Sequence, residues 1–224
     1  MTALALDTAT EVLSVALKTE EGLAETTIVA GMKASEYLMP AIDGLVGLAR
    51  VPRRFDLVVC MRGPGSFTGL RIGMATAKGL AAGSGGSLVA VPTLEAIAFG
   101  LSFFDGVVVP VIDARKHRLY AALFQGGKRL TDDMDIPPSG LAAAIEAYDR
   151  VLLTGPAAPL FAESLRGRSG WTIDPGYRAG HAGSLIRLGL DRFERYGGEP
   201  DDTGPTYLRS SEAELPAQRG ELHG

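Results

Sequence analysis

The chain has 224 residues, 46% of them hydrophobic and 21% charged, a balance that belongs to a folded globular protein and excludes a disordered or fibrous one. Its 22 basic and 26 acidic side chains leave a formal charge of −4, which argues against tight, unaided binding to a nucleic-acid backbone. No apolar run approaches the roughly 20 residues of a bilayer span and no basic, cleavable leader opens the chain, so a cytoplasmic protein without a membrane segment is expected.

The length suits two small domains. Residues 2–7, 12–18 and 23–29 are β-like runs separated by turn-sized gaps and predict a three-stranded meander, with Asp7 ending the first strand. Ser35 offers an N-cap for a helix to about Arg50, in which Pro40 is tolerable only near the first turn or else kinks it. Arg50, Arg53 and Arg54 read as a solvated turn. Residues 55–61 form a short apolar strand carrying Cys60, the single cysteine, which excludes an internal disulfide and reads as a buried small hydrophobe.

The run Gly63-Pro64-Gly65-Ser66-Phe67-Thr68-Gly69-Leu70-Arg71-Ile72-Gly73 is the most distinctive in the chain. It is neither a Walker A loop, lacking the glycine spacing and the Lys-Ser/Thr, nor a Rossmann fingerprint, lacking the third glycine and the distal acid. A helix starts at Ser66 or Thr68 and runs to about Gly83. Gly69, Gly73, Ala77 and Ala81 recur every four residues, so they form one ridge almost without side chains. Each interior glycine costs about 1 kcal/mol relative to alanine, which only packing offsets. With Leu70, Ile72, Met74 and Leu80 on the other faces, the helix is buried on most sides, and the ridge is expected to receive a second helix from this chain or from a partner.

A strand over 87–91 follows, then a helix from Thr93 to about Leu101 with Glu95 in its first turn. The second half opens by repeating the first. Residues 111–123 match 5–17 in pattern, with Asp113 over Asp7 and a short turn before an apolar strand. Gly126-Gly127 predicts a hairpin turn, Ser139 caps a helix to about Tyr148, 151–154 and 171–174 are strands, and 181–196 is the last firm helix. The expected division is 1–104, 105–209 and a mobile polar tail over 210–224.

Two halves that each open with strand, aspartate and hairpin resemble the lobes of the actin-like ATPase superfamily. The runs 6–10, 63–73, 91–95 and 112–115, with Tyr207-Leu208-Arg209 near the end, occur in the order and spacing of the TsaB (YeaZ) family, which this chain resembles over almost its whole length. The resemblance implies an α/β fold of two actin-like (ASKHA, ribonuclease H-like) lobes built on β-β-β-α-β-α-β-α units, the second reduced. It implies a non-catalytic subunit of the machinery that forms threonylcarbamoyladenosine beside the anticodon of tRNA. The partners implied are the TsaD transferase and TsaE, with a homodimer when alone and tRNA met mainly through the complex. The partner interface is assigned to Gly69, Leu70, Ile72, Gly73, Thr76, Ala77, Leu80 and Ala81, and a vestigial nucleotide cleft to Asp7, Thr8, Gly65 and Asp113. Ala34 stands where many family members have histidine before Ser-Glu.

Catalytic machinery is not expected. His117, His181 and His223 include no i,i+4 pair, so the two-histidine metal site of TsaD-like proteins is missing and no metal is predicted. Each histidine reads as a surface or capping residue. No cofactor is predicted, although weak nucleotide binding stays open. Asp7 and Asp113 are the only carboxylates placed like active-site groups, and they support the alternative of a small actin-like ATPase or phosphotransferase. Gly155-Pro156-Ala157 makes a poor adenosine loop.

Overall fold

The computed structural model describes residues 1–163 and 168–209, so the tail expected over 210–224 lies outside the described residues. The first lobe starts with the predicted meander: β1 (Ala3–Asp7), β2 (Val12–Lys18) and β3 (Leu23–Val29) pair antiparallel in chain order. Helix α1 (Ala34–Ala49) leads to β4 (Leu57–Gly63), α2 (Phe67–Ser84) to β5 (Ser87–Pro92), and α3 (Thr93–Phe99) ends the unit. Strands β4 and β5 join parallel to β1, giving the order β3-β2-β1-β4-β5. Both faces of this sheet are covered, which is why β1 and β4 read as unbroken apolar runs and not as alternating ones.

The second lobe repeats this order. Strands β6 (Val107–Asp113), β7 (Leu119–Ala121), β8 (Phe124–Gln125), β9 (Lys128–Arg129) and β10 (Met134–Ile136) precede α4 (Pro138–Ile145), β11 (Val151–Thr154), a one-turn helix (Ala158–Phe161), β12 (Trp171–Ile173) and α5 (Ala182–Tyr196). The main path is β10-β7-β6-β11-β12, with β8 and β9 added beside β6. Each position has its first-lobe counterpart, antiparallel and parallel pairings included. This is the two-lobed α/β arrangement that the resemblance to actin-like ATPases implies. The reduction is visible where α2 would be: only the one-turn helix is described there. It is visible again in the counterpart of β2, which is broken into β7 and β8. The break in pairing along β6 falls at Pro110, which has no N–H to donate to a ladder.

Three capping expectations fail. Lys33 holds the N-cap position of α1, Pro92 that of α3 and Pro137 that of α4, each without a side-chain bond, so Ser35, Thr93 and Ser139 do not cap. Pro92 and Pro137 bring φ near −60° to −70°, and Pro138 fills the first turn, where a missing N–H costs nothing. Ser66 does cap α2, accepting from Gly69 N at 3.3 Å.

The lobes interlock through their last helices. Leu94, Ile97 and Ala98 of α3 pack with Val108, Ile112 and Tyr120 of the second sheet. Ala182, Leu185, Ile186 and Leu188 of α5 pack with Ala3, Ala5, Val59 and Val89 of the first. The first sheet ends at Pro92 and the second begins at Val107, and α5, which follows the second sheet in sequence, packs on the first. At Gly189 of α5 a Cβ would collide with Val59.

Candidate functional site

Two surfaces qualify as sites: the cleft between the lobes and the outer face of α1 and α2. The cleft has a volume of about 910 Å³, and its walls come from residues 9–11 and 64–68 of the first lobe, 112–116 and 156–157 of the second, and 206–209. Gly65 and Asp113 line it. Asp7 and Thr8 do not. Both are 2% exposed and sit behind the cleft wall.

Thr8 is occupied with α2, its Oγ1 donating to the Gly69 carbonyl at 2.7 Å. Asp7 Oδ1 accepts Ala9 N at 3.1 Å, and burial pushes its carboxyl up to about 7, the nearby Glu25 charge adding to the effect and the Ala9 N–H opposing it. A carboxyl in this setting holds its proton over the acid half of the usual range. Asp113 is exposed, with Oδ1 accepting Arg115 N at 2.7 Å and Oδ2 3.4 Å from the Arg115 guanidinium. The cleft therefore receives one of the two paired aspartates. The turn after it, Arg115, Lys116 and His117, has three successive residues at φ 53° to 63°, a region that costs a side-chain-bearing residue of the order of 1–2 kcal/mol.

Of the histidines in the described residues, His117 is exposed and His181 occupies the N-cap position of α5, where burial lowers its imidazole to about 4 although Asp174 pulls the other way. Cys60 is fully buried in β4, its Sγ 3.7 Å from Met74 Sδ, and burial pushes its thiol up to about 12. Among the described residues no three His, Cys, Asp or Glu side chains converge as metal ligands. No helix among them is long and apolar enough to cross a membrane.

The small-residue ridge of α2 requires a correction. Gly69, Leu70, Gly73, Ala77 and Ala81 are buried within this chain. A Cβ on Gly69 would collide with the Thr8 carbonyl oxygen, and one on Gly73 with Thr8 Oγ1. The helix presses its bare strip onto the turn after β1, so the close backbone approach is internal. Ile72 and Leu80, half-buried, pack beside this core, and Thr76 is half-buried too.

The opposite face has its own glycines. Gly79 and Gly83 of α2 and Gly44 and Gly47 of α1 are exposed, and a Cβ at any of them would meet nothing within 4 Å. Around them Ala75 and Ala82 are exposed, as are Tyr37 at 38% and Leu48 at 74%. Periodicity alone does not tell the two strips of α2 apart, because both are small, and only burial separates them. The Gly44-x-x-Gly47 pair was the available signal in α1.

Comparison with known proteins follows the same lines. A family model described as "TsaD: tRNA N6-adenosine threonylcarbamoyltransferase" matches residues 28–149. The tRNA threonylcarbamoyladenosine biosynthesis protein TsaB of Bacillus subtilis is 31% identical over 222 residues, covering 96% of each chain. The protein of that name from Haemophilus influenzae is 36% identical over 124 residues, covering 54% of this chain and 52% of its own. Among solved structures, YeaZ from Pseudomonas aeruginosa superposes with a TM-score of 0.75 at 26% identity, over 92% of this chain and 99% of that one. Fold, motifs and whole-chain similarity agree, and the chain belongs to the TsaB (YeaZ) family of tRNA threonylcarbamoyladenosine biosynthesis proteins.

Proposed function

We propose that this protein is a non-catalytic assembly subunit that pairs with the TsaD transferase through the outer face of α1 and α2, and that TsaE and tRNA are met in the resulting complex. The observation that carries this reading is the set of exposed helical glycines. Gly44 and Gly79 lie mid-helix and Gly47 and Gly83 near the helix ends, and no neighbour within the chain excludes a side chain at any of them. Mid-helix glycine costs about 1 kcal/mol relative to alanine, and packing within this chain does not offset it. A second backbone lying close against both helices would.

The flanking Tyr37 and Leu48 supply apolar anchors at the margin of that face, and self-complementary patches of this kind also form twofold dimers, consistent with a homodimer when no TsaD is present. Ile72, Thr76 and Leu80 border the face and are retained as contact residues. Gly69, Leu70, Gly73, Ala77 and Ala81 support it from beneath. A cytoplasmic location accords with this role.

The ATPase alternative draws on the cleft, but Asp7 is walled off from it and Asp113 is committed to its own turn. The test is size-exclusion chromatography of the chain mixed with TsaD. Wild type should elute as a one-to-one complex, whereas Gly79→Leu should elute separately with an unchanged circular dichroism spectrum. Retention of the complex by Gly79→Leu would remove the α2 face from the interface.

A further inference from the structure

After α5 the chain returns to the cleft, and residues 206–209 cross from one lobe to the other. Thr206 N donates to the Arg62 carbonyl at 2.7 Å, at the end of β4. Gly63 stands at φ 119°, and a Cβ there would collide with the Thr206 carbonyl oxygen, so the glycine is what lets the segment lie this close. Tyr207 stacks on Phe67 with ring centroids 4.8 Å apart. Its hydroxyl accepts from Arg71 Nε at 3.1 Å, and the Arg71 guanidinium carbon lies 3.9 Å from the Phe67 centroid. All of these contacts are with the first lobe.

The next residue faces the other way. Leu208 packs against the cluster of Ile112 and Tyr120 on the second sheet with Leu94 and Ile97. Arg209 follows it, donating to the Ala114 carbonyl at 3.4 Å and standing 3.5 Å from Asp135. Within three residues the segment thus passes from first-lobe partners at Tyr207, through the apolar layer between α3 and the second sheet at Leu208, to second-lobe partners at Arg209.

We propose that residues 206–209 are a latch that sets the opening of the cleft: Tyr207 holds it to the first lobe, Leu208 and Arg209 hold it to the second, and its release widens the angle between the sheets. Helices α3 and α5 join the lobes on the sheet faces, and the latch ties them along the cleft itself, whose wall it forms. The latch does not depend on which partner binds α1 and α2.

Hydrogen–deuterium exchange of the intact chain, followed by mass spectrometry, tests this by looking across the cleft from each substitution. Tyr207→Ala should speed exchange roughly tenfold in residues 112–121 of the second lobe, and Leu208→Ala should do the same in residues 62–70, while β4 residues 57–61 keep wild-type protection. Tyr207→Phe, which keeps the ring and loses the bond from Arg71, and Arg209→Lys give milder versions of the same two perturbations if either alanine variant does not fold. Faster exchange in the opposite lobe supports the latch. Exchange that is unchanged, or raised only in the lobe the altered side chain touches, overturns it.

Discussion

Asp7 and Asp113 end corresponding strands of the two lobes, and each accepts through Oδ1 the N–H of the residue two positions on, Ala9 at 3.1 Å and Arg115 at 2.7 Å. The local turn is the same and the surroundings are opposite: Asp7 is 2% exposed, whereas the Asp113 side chain is about half exposed and faces the cleft. Burial pushes Asp7 up to about 7 from an ordinary value of 3.8. The folded chain therefore keeps a proton that the unfolded chain has already released. A raised carboxyl contributes stability that is complete below 3.8 and is lost as pH rises through about 7.

Asp7→Asn should remove this dependence. Urea denaturation at a series of pH values should show wild type losing stability relative to the variant between about pH 4 and 7, with the difference level above that, and a total change on the order of a few kcal/mol. Parallel curves for the two proteins would mean that Asp7 ionises normally.

The N-terminus of α5 is held by the first lobe. Ser14 Oγ accepts from both His181 N and Ala182 N at 3.0 Å, while Glu25 accepts from Ala182 N and Gly183 N at 3.2 Å. These acceptors satisfy N–H groups that a helix start leaves unpaired, and a carboxylate there also favours the helix dipole. Ser14 is fully buried, so Ser14→Ala admits no water to replace it. The substitution should cost about 1–3 kcal/mol in urea unfolding and speed amide exchange in residues 181–185 before the rest of α5.

Two glycines of α2 six residues apart should respond in opposite senses to the same change. Gly73→Ala places a methyl against Thr8 Oγ1 and should destabilise the isolated chain by about 1–3 kcal/mol. Gly79→Ala meets open space in a helix and should stabilise it by up to about 1 kcal/mol. Thermal melts of the two variants beside wild type check both signs. Two losses of similar size would place Gly79 under an internal constraint.

The two-lobed architecture was legible because the strand-aspartate-hairpin pattern occurs twice, and β1, β2 and β3 fall within a residue of where alternation and turn spacing put them. The cleft was legible in part: Gly65 and Asp113 face it, but nothing local marks Asp7 as the buried member of its pair. It lies on the face of β1 where Ala3 and Ala5 pack with α5, whose N-terminus, brought from more than 160 residues away, is seated on Ser14, the register partner of Asp7. Side-chain caps failed wherever a proline had already fixed the entry dihedral, as at Pro92 and Pro137. The two strips of α2 could not be told apart for a similar reason. Spacing identifies a strip of small residues, and only the turn at Thr8 reveals which strip it lies against.

Thr93 shows what a hydroxyl at a helix start does when it is not capping that helix. It is fully buried, and its Oγ1 accepts from Gly63 N at 3.1 Å, tying the start of α3 to the end of β4 just before the glycine-rich turn. Thr93→Val keeps the shape and removes the acceptor, leaving the Gly63 N–H buried without its partner, for an expected loss of about 1–3 kcal/mol. Thr93→Ser restores an acceptor and gives up one methyl group, so it should recover most of the hydrogen-bond contribution and lose about 1 kcal/mol through packing. Urea midpoints in the order wild type, serine, valine would show that the hydroxyl matters more than the methyl. The order wild type, valine, serine would assign Thr93 to packing and leave the Gly63 amide indifferent to it.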